Sequence, residues 1–165
     1  MRVAILTVSD TGYRGERRDA SGEIIRECLT ALESKVADYS VVPDEKDLIS
    51  AKLKEWADRG DVDLVLTTGG TGLSPRDVTP EATLAIIDKL VPGLAEAMRA
   101  ESVKKTPRGM LSRGTAGIRG GCLVVNLPGS PKAVRGCLDT ILPALSHAIE
   151  VLKGDVRECA VGGGS

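Results

Sequence analysis

The sequence predicts an α/β sandwich with a mostly parallel sheet and one antiparallel strand. Along the 165 residues, short apolar runs alternate with segments whose apolar residues recur at helical spacing, a pattern typical of successive β-α units. Two strand-like segments that flank Gly120-Gly121 instead predict a hairpin. The length suits one domain, assigned to residues 1–154, with a glycine-rich tail at 155–165 that we expect to be disordered.

The first half of the chain contains three predicted strands and two predicted helices. Residues 3–8 are almost continuously apolar, as in a strand that is covered on both faces. Residues 36–42 and 63–68 form the second and third predicted strands. Two helices between them are marked by apolar residues at helical spacing, namely Ile24, Ile25, Cys28, Leu29 and Leu32 in one and Leu48, Ile49, Leu53, Trp56 and Ala57 in the other.

The second half predicts three further helices around the hairpin. Residues 79–90 form a helix with Thr79 as N-cap and Pro80 as its first residue, and 92–103 form the next helix. Residues 104–114 carry no clear pattern. The hairpin strands follow at 115–119 and 122–126.

The last predicted helix begins at Ser130-Pro131, with Ser130 as N-cap. Its buried face would carry Val134, Cys137, Leu138, Ile141, Leu142 and Leu145. Pro143 should kink or divide this helix, because proline lacks the amide that the helix ladder needs.

The composition excludes several classes of function. The net charge of −1 and the three aromatic residues give no footprint for nucleic acid. No apolar run reaches membrane-spanning length, and no signal peptide opens the chain. The four cysteines lack the spacing of a zinc or redox motif. We therefore expect them to be small buried residues of a protein in the reducing cytoplasm. His147 is the only histidine, which leaves little for triad or histidine-metal chemistry.

Polar, turn-rich segments follow four of the predicted strands. Because ligands bind beyond the carboxyl ends of parallel strands, these segments predict one shared site. They are Ser9-Asp10-Thr11-Gly12, Pro43-Asp44-Glu45, Thr68-Gly69-Gly70-Thr71-Gly72 with Asp77, and Asn126-Leu127-Pro128-Gly129-Ser130-Pro131.

The glycine loop is the most informative of these segments. Three glycines within Gly69–Gly72 let the backbone turn sharply and bring its amides close to an anion such as phosphate. An aspartate a few residues later, Asp77, makes sense if a metal ion accompanies the phosphate. The loop has neither the lysine of a P-loop nor the spacing of a dinucleotide fingerprint, and a plain strand-to-helix turn stays an alternative.

Two acids are the candidates for chemistry, and each has a structural alternative. Asp44 could simply cap the helix that follows. Asp77 could belong to a capping box that begins at Ser74, but a helix capped there would carry Pro80 in its interior, where proline breaks helices. We therefore place Asp77 on the loop.

These motifs resemble those of the molybdenum-cofactor biosynthesis family of MoaB/Mog type, to which the G domain of gephyrin also belongs. The string from Thr67 to Thr83 is similar to the family signature, and Asn126-Leu-Pro-Gly-Ser-Pro131 is similar to a turn that lines its active site. The first family motif is matched by Ser9-Asp10 together with Asp19-Ala20-Ser21-Gly22. The resemblance runs from Val3 to about Gly154 in the family's order.

The resemblance implies a three-layer fold and a molybdopterin adenylyltransferase that uses Mg²⁺ and ATP. It implies that Asp44 and Asp77 are catalytic and hold the metal. The substrate and nucleotide would bind at Ser9, Asp10, Thr68, Gly69, Gly70, Thr71, Gly72, Asn126, Pro128, Gly129 and Ser130, with the amides of Gly69 to Gly72 on phosphate oxygens. Arg14, Arg17 and Arg18 could also contact phosphate, but for at least two of them a solvated surface loop is favoured.

The resemblance further implies a homotrimer and a downstream molybdenum-insertion enzyme as a partner. Three rival functions remain: a pterin-binding protein without transferase activity, a scaffold, and a nucleotide hydrolase. Intact acids argue against the first rival, and the absence of additional domains and linkers in this chain argues against the second.

Overall fold

The structure is a computed structural model that describes residues 1–154. Its strands are β1 (Arg2–Val8), β2 (Lys35–Val42), β3 (Leu64–Thr68), β4 (Lys89–Leu90), β5 (Ala116–Arg119) and β6 (Cys122–Leu127). Its helices are α1 (Asp10–Tyr13), α2 (Ala20–Leu29), α3 (Lys46–Asp58), α4 (Thr79–Leu84), α5 (Pro92–Lys105) and α6 (Pro131–Lys153), with a 3₁₀ turn at Pro107–Leu111. The predicted tail at 155–165, including Cys159, lies outside the described residues.

The strands form one sheet in the order β2-β1-β3-β6-β5-β4. The first four are parallel to one another, and β5 runs antiparallel to both of its neighbours. The predicted hairpin is confirmed, since Arg119 pairs with Cys122 across a two-residue turn in which Gly120 has a φ of 53°. The sheet is therefore mostly parallel with one antiparallel strand, as the sequence predicts.

Both faces of the sheet are covered by helices, which confirms three layers. Along β1, Val3 and Ile5 face a core that is built with α2, α5 and α6. The intervening residues Ala4 and Leu6 face a second core, built with α3 and α4. Because both faces are covered, the inner strands β1, β3 and β6 are buried at nearly every position, whereas the edge strand β2 is partly exposed along its length.

Two predictions around residue 80 are wrong. Helix α4 ends at Leu84 rather than at residue 90, and Lys89–Leu90 instead pairs with β5 as a short edge strand. The N-cap of α4 is Val78 rather than Thr79. The Thr79 hydroxyl donates to the carbonyl oxygen of Gly69 (3.0 Å), so it ties the helix to the glycine loop instead of capping it.

Pro143 does not divide the last helix, because α6 continues through it to Lys153. Pro143 and Asp139, whose carbonyl loses its helical donor, both lie on the exposed face, where water can satisfy that carbonyl. Buried residues on either side, Ile141 and Leu145, keep the helix packed on the sheet. The predicted N-cap is confirmed, since the Ser130 hydroxyl accepts from the Ala133 amide (3.2 Å).

Candidate functional site

The carboxyl ends of the four parallel strands meet at one edge of the sheet and surround a cleft of about 380 Å³. The cleft brings together eight of the thirteen predicted site residues, namely Ser9, Asp44, Thr68, Gly69, Gly70, Asp77, Gly129 and Ser130. Asp10 begins α1 beside the cleft, Thr71 and Gly72 lie in the adjoining glycine loop, and Asn126 and Pro128 line a neighbouring cavity. The four segments singled out in the sequence thus converge as expected.

The glycine loop adopts a conformation that few residues other than glycine tolerate. Gly69 and Gly70 have φ values of 95° and 65°. A Cβ atom on Gly69 would collide with the carbonyl oxygen of Val8, and one on Gly70 would collide with the hydroxyl of Thr79. The loop can therefore pack against β1 and α4 only without side chains at these positions.

The loop amides are not all available to a ligand. The Gly69 amide donates to the carbonyl oxygen of Leu127 (3.3 Å), so the expectation that it binds phosphate does not fit its geometry. Within the described part of the chain, the amides of Gly70, Thr71 and Gly72 have no hydrogen-bond acceptor. Three amides in sequence therefore remain free to bind an anion.

Asp44 and Asp77 border the glycine loop from two sides. An Asp44 carboxylate oxygen lies 3.3 Å from the place of a Cβ on Gly70, and an Asp77 carboxylate oxygen lies 2.8 Å from that of a Cβ on Gly72. Asp77 lies on a loop, as predicted, and its carboxylate accepts from the Ser74 amide (3.0 Å). Both acids therefore lie close to the glycines of this loop, and both line the cleft.

Asp44 does not cap α3, which begins after Glu45 without a side-chain capping bond. Its carboxylate instead accepts from the amide of Asp10 (2.8 Å), and the Asp10 carboxylate accepts from the amide of Asp44 (3.0 Å). Burial, together with the nearby charges of Asp10 and Asp77, raises the pKa of Asp44 despite that hydrogen bond. A bound cation would reverse this effect by favouring the ionised carboxylate.

Arg76 holds the third acid of this edge and was not singled out in the sequence. Its guanidinium donates to both carboxylate oxygens of Asp10 (2.8 and 3.1 Å). Hydrogen bonds from Arg76 and from the Asp44 amide lower the pKa of Asp10. The only signal in the sequence that could have indicated Arg76 is its position directly before Asp77.

The arginines of the first loop are engaged in different ways. Arg14 pairs with Glu16 and Arg18 pairs with Glu23, both at exposed positions. Arg17 and Arg18 line the cleft.

Asp19, from the first family motif, lines the cleft and connects α2 to β1 and β2. This acid caps α2 by accepting from the Gly22 amide (2.9 Å), and it also accepts from the hydroxyls of Thr7 (2.5 Å) and Tyr39 (2.7 Å). Burial, and next the hydrogen bond to Asp19, raises the pKa of Tyr39 to about 12, so the phenol stays a donor. The Ser21 hydroxyl donates to the carbonyl of Gly129 (2.7 Å) and fixes the last turn of the cleft.

Asn126 is buried, and its side chain is used within the protein. It donates to the hydroxyls of Thr67 (3.1 Å) and Thr83 (2.9 Å) and accepts from the amide of Thr115 (3.2 Å). A direct role of this side chain in binding therefore stays a prediction, and the geometry supports a positioning role. Nearby, the Thr68 hydroxyl donates to the carbonyl of Pro128 (2.7 Å).

A second cavity of about 400 Å³ adjoins the cleft at Ser130, which lines both. Its wall contains residues of the segment that carried no clear sequence pattern, among them Lys105, Thr106, Arg108, Gly109, Ser112 and Gly114. Sequence reasoning missed this cavity because α5, the 3₁₀ turn and α6 form it together, and no periodic signal marks such a junction.

The donor set of the cleft fits Mg²⁺ only with help from a substrate. Within residues 1–154, no group of three or more histidine, cysteine or acidic side chains is arranged to hold a metal ion. Asp44 and Asp77 alone supply two carboxylates, since Asp10 is engaged with Arg76. Mg²⁺ commonly binds through one or two carboxylates plus substrate phosphates, and this pair meets that requirement.

Comparison with known proteins now decides the family. The family described as "probable molybdopterin binding domain" matches residues 4–147, most of the chain. The chain belongs to this family. The resemblance noted in the sequence is therefore confirmed.

Its relatives in this family include single-domain and larger proteins. The molybdopterin adenylyltransferase of Helicobacter pylori strain J99 is 41% identical, with 96% of this chain and 91% of that protein covered. The molybdenum cofactor synthesis protein cinnamon of Drosophila melanogaster is 46% identical over 92% of this chain, which spans only 26% of cinnamon. The solved structure of the molybdopterin biosynthesis enzyme MoaB from Thermus thermophilus matches with a TM-score of 0.88 and 55% identity, covering 93% of this chain and 96% of that one.

Membrane insertion by a helix has no support in the described residues. None of the helices within residues 1–154 combines the length and the apolar character that crossing a bilayer requires.

Proposed function

We propose that this chain transfers the adenylyl group of Mg-ATP to the terminal phosphate of molybdopterin and releases pyrophosphate. The observation that carries the proposal is the position of Asp44 and Asp77 beside the glycine loop, in a cleft that adjoins a second cavity at Ser130. The identity of 41% to an adenylyltransferase that this chain covers almost completely supports it.

The two cavities give each substrate its own place. The acidic cleft suits the phosphates of a metal-bound nucleotide, because carboxylates and free amides lie together there. The second cavity suits the pterin, since its wall combines apolar Ala95 and Met98 with the cationic side chains of Lys105 and Lys132. Ser130 caps α6 between them, so the positive end of this helix lies where the two phosphates would meet.

The chain would act mainly by positioning. In the reaction, an oxygen of the pterin phosphate forms a bond to the α-phosphorus of ATP as the bond from that phosphorus to pyrophosphate breaks. The attacking phosphate is already ionised at neutral pH, so neither acid has to serve as a general base. The amides of Gly70 to Gly72 would orient phosphate oxygens in line for this displacement.

Asp44 and Asp77 would hold the metal, and Mg²⁺ when bound would offset the charge that develops on pyrophosphate. Burial of Asp44 near two other acids supports this assignment, because the arrangement favours a cation.

By resemblance, we further infer that the chain works as a homotrimer in the cytoplasm and passes its product to a molybdenum-insertion enzyme. Size-exclusion chromatography with light scattering tests the oligomeric state. A trimer mass supports this inference, and a monomer mass contradicts it.

Product analysis tests the proposed reaction. The purified chain is incubated with Mg-ATP and molybdopterin, and the products are identified by mass spectrometry. Formation of adenylyl-molybdopterin and pyrophosphate supports the proposal. Retention of pterin without adenylylation would identify a binding protein, and cleavage of ATP without pterin would identify a hydrolase.

A further inference from the structure

Arg113 connects the loop that carries Asp77 to the rest of the fold. Its side chain is about two-thirds buried, with 34% exposed. Its guanidinium donates to the carbonyl oxygens of Gly72 and Asp77 (2.7 Å each) and pairs with the carboxylate of Glu81 in α4. Its own amide donates to the carbonyl of Thr71 (2.9 Å).

These contacts hold both ends of the loop that carries Asp77, here called the acid loop (residues 72–77). Residues 73–76, between the two bound carbonyls, are exposed. Inside this segment, the amide of Asp77 donates to the Ser74 carbonyl (2.9 Å) and the Ser74 amide donates to the Asp77 carboxylate. Those bonds form a local turn, but they do not attach the turn to the sheet. Two side chains supply that attachment: Arg76, inside the turn, donates to the Asp10 carboxylate, and Arg113 donates to the carbonyls at both ends of the turn.

The backbone on either side of Arg113 is held by a side chain of α5. The guanidinium of Arg99 donates to the carbonyl oxygen of Gly114 (2.7 Å) and, more weakly, to that of Ser112 (3.4 Å). Ser112 and Gly114 line the second cavity. Hydrogen bonds from α5 therefore hold the backbone of residues 112–114 at the wall of the second cavity, and the Arg113 side chain extends from this backbone to the loop that carries Asp77.

We propose that Arg113 is a positioning residue that fixes the Asp77 carboxylate in the orientation required by the metal-bound nucleotide. This inference rests on the proposed function. Arginine suits the task because its planar fork donates to several acceptors at once, whereas lysine offers a single ammonium group. Arg113 lines neither the cleft nor the second cavity, so it would act through Asp77.

The experiment measures binding rather than turnover. Calorimetry on the whole chain gives the affinity for Mn²⁺ together with an ATP analogue whose α,β-bridge is a methylene group. The control variant is Arg119→Met. Arg119 also donates to a carboxylate, that of Asp58, and to a main-chain carbonyl, that of Ile86, but at the opposite edge of the sheet.

We expect Arg113→Met to weaken binding of the Mn-nucleotide about tenfold or more and Arg119→Met to leave it unchanged at comparable melting temperature. In the double variant Arg113→Met with Asp77→Asn, affinity should be no lower than with Asp77→Asn alone, because both changes remove the same interaction. Additive losses, or unchanged affinity in Arg113→Met, would overturn the inference.

Two further outcomes separate possible failures. If Arg113→Met does not fold, Arg113→Lys serves in the same comparison, and it should also weaken binding because it cannot reach both carbonyls. If Arg113→Lys binds the Mn-nucleotide like the unaltered chain, the positioning role is wrong. If the unaltered chain does not bind the Mn-nucleotide, the proposed function fails instead.

Discussion

Asp44 and Asp77 border the same loop but are held in different ways. Asp44 is half-buried and exchanges hydrogen bonds with Asp10, whereas Asp77 is held by a turn with Ser74. The position of Asp77 could be predicted because Pro80 forbids a helix that begins at Ser74. The partner of Asp44 could not be predicted, because it comes from a different strand end, 34 residues away.

At the residue scale, Asp77→Asn should nearly abolish adenylyl transfer while the melting temperature stays close to that of the unaltered chain. Loss of one carboxylate contact to the metal could remove several kcal/mol of transition-state stabilisation, or roughly a thousandfold in rate. Asp47→Asn, at an exposed position in α3, is the control and should leave the rate unchanged. Activity of Asp77→Asn within a few-fold of the unaltered chain would exclude the assigned role.

Asp44→Ala should weaken binding of Mg-ATP more than binding of molybdopterin, because Asp44 lies in the acidic cleft and does not line the second cavity. Separate calorimetric titrations of the two ligands measure this difference. Equal losses for both ligands would indicate that Asp44 acts only through its hydrogen bonds with Asp10.

At the scale of elements, the glycine loop connects the cleft to the start of helix α4. The carbonyl of Gly69 accepts from the Thr79 hydroxyl, and the carbonyl of Gly70 accepts from the Thr79 amide (3.0 Å). Helix α4 thus begins directly on the loop. A change in the loop should affect both the start of this helix and the cleft.

Gly70→Ala tests this connection. The positive φ and the collision with Thr79 should lower stability, and the displaced amides should also lower ligand affinity per folded molecule. Gly60→Ala is a matched control, since Gly60 also has a positive φ (79°) but nothing within 4 Å of the added Cβ. It should lose stability, by about 1 kcal/mol, and keep affinity. If Gly70→Ala also keeps its affinity, the loop is only a connector.

The elements that sequence reasoning missed share a physical cause. Strand β4 has only two residues, both exposed, so no alternation marks it. The N-cap of α4 was misplaced by one residue because the Thr79 hydroxyl has a tertiary partner that the local sequence does not reveal. Strands β1 and β3 could be predicted because burial on both faces favours apolar runs, and α6 because burial of one face imposes a helical period. The second cavity has no such pattern, because it lies between elements.

At the scale of the whole molecule, Asp63 joins both ends of the described chain at the edge opposite the cleft. Its carboxylate accepts from the amide and guanidinium of Arg2 (2.6 and 2.9 Å) and pairs with Lys153 at the end of α6 (3.1 Å). Burial alone would raise the pKa of Asp63, but the hydrogen bonds from Arg2 and Lys153 outweigh it and lower the pKa to about 2.

The lowered pKa of Asp63 predicts how stability depends on pH. Its ordinary value is 3.8, so its contribution is present above that pH and is lost as the pH falls toward about 2. The shift corresponds to about 2 kcal/mol of unfolding free energy at neutral pH. Asp63→Asn should therefore unfold more easily by about this amount at pH 7, and the difference should nearly vanish near pH 2. Urea unfolding at several pH values measures it, and a constant difference would contradict the account.

The fold as a whole places an acidic cleft and a second cavity side by side at Ser130, and we propose that an adenylyl group passes between their occupants. Incubation with molybdopterin and ATP labelled with ³²P at either the α- or the γ-position tests this most directly. We expect the α-label to enter the pterin product and the γ-label to leave with pyrophosphate. Entry of the γ-label into the pterin, or label in neither product, would contradict it.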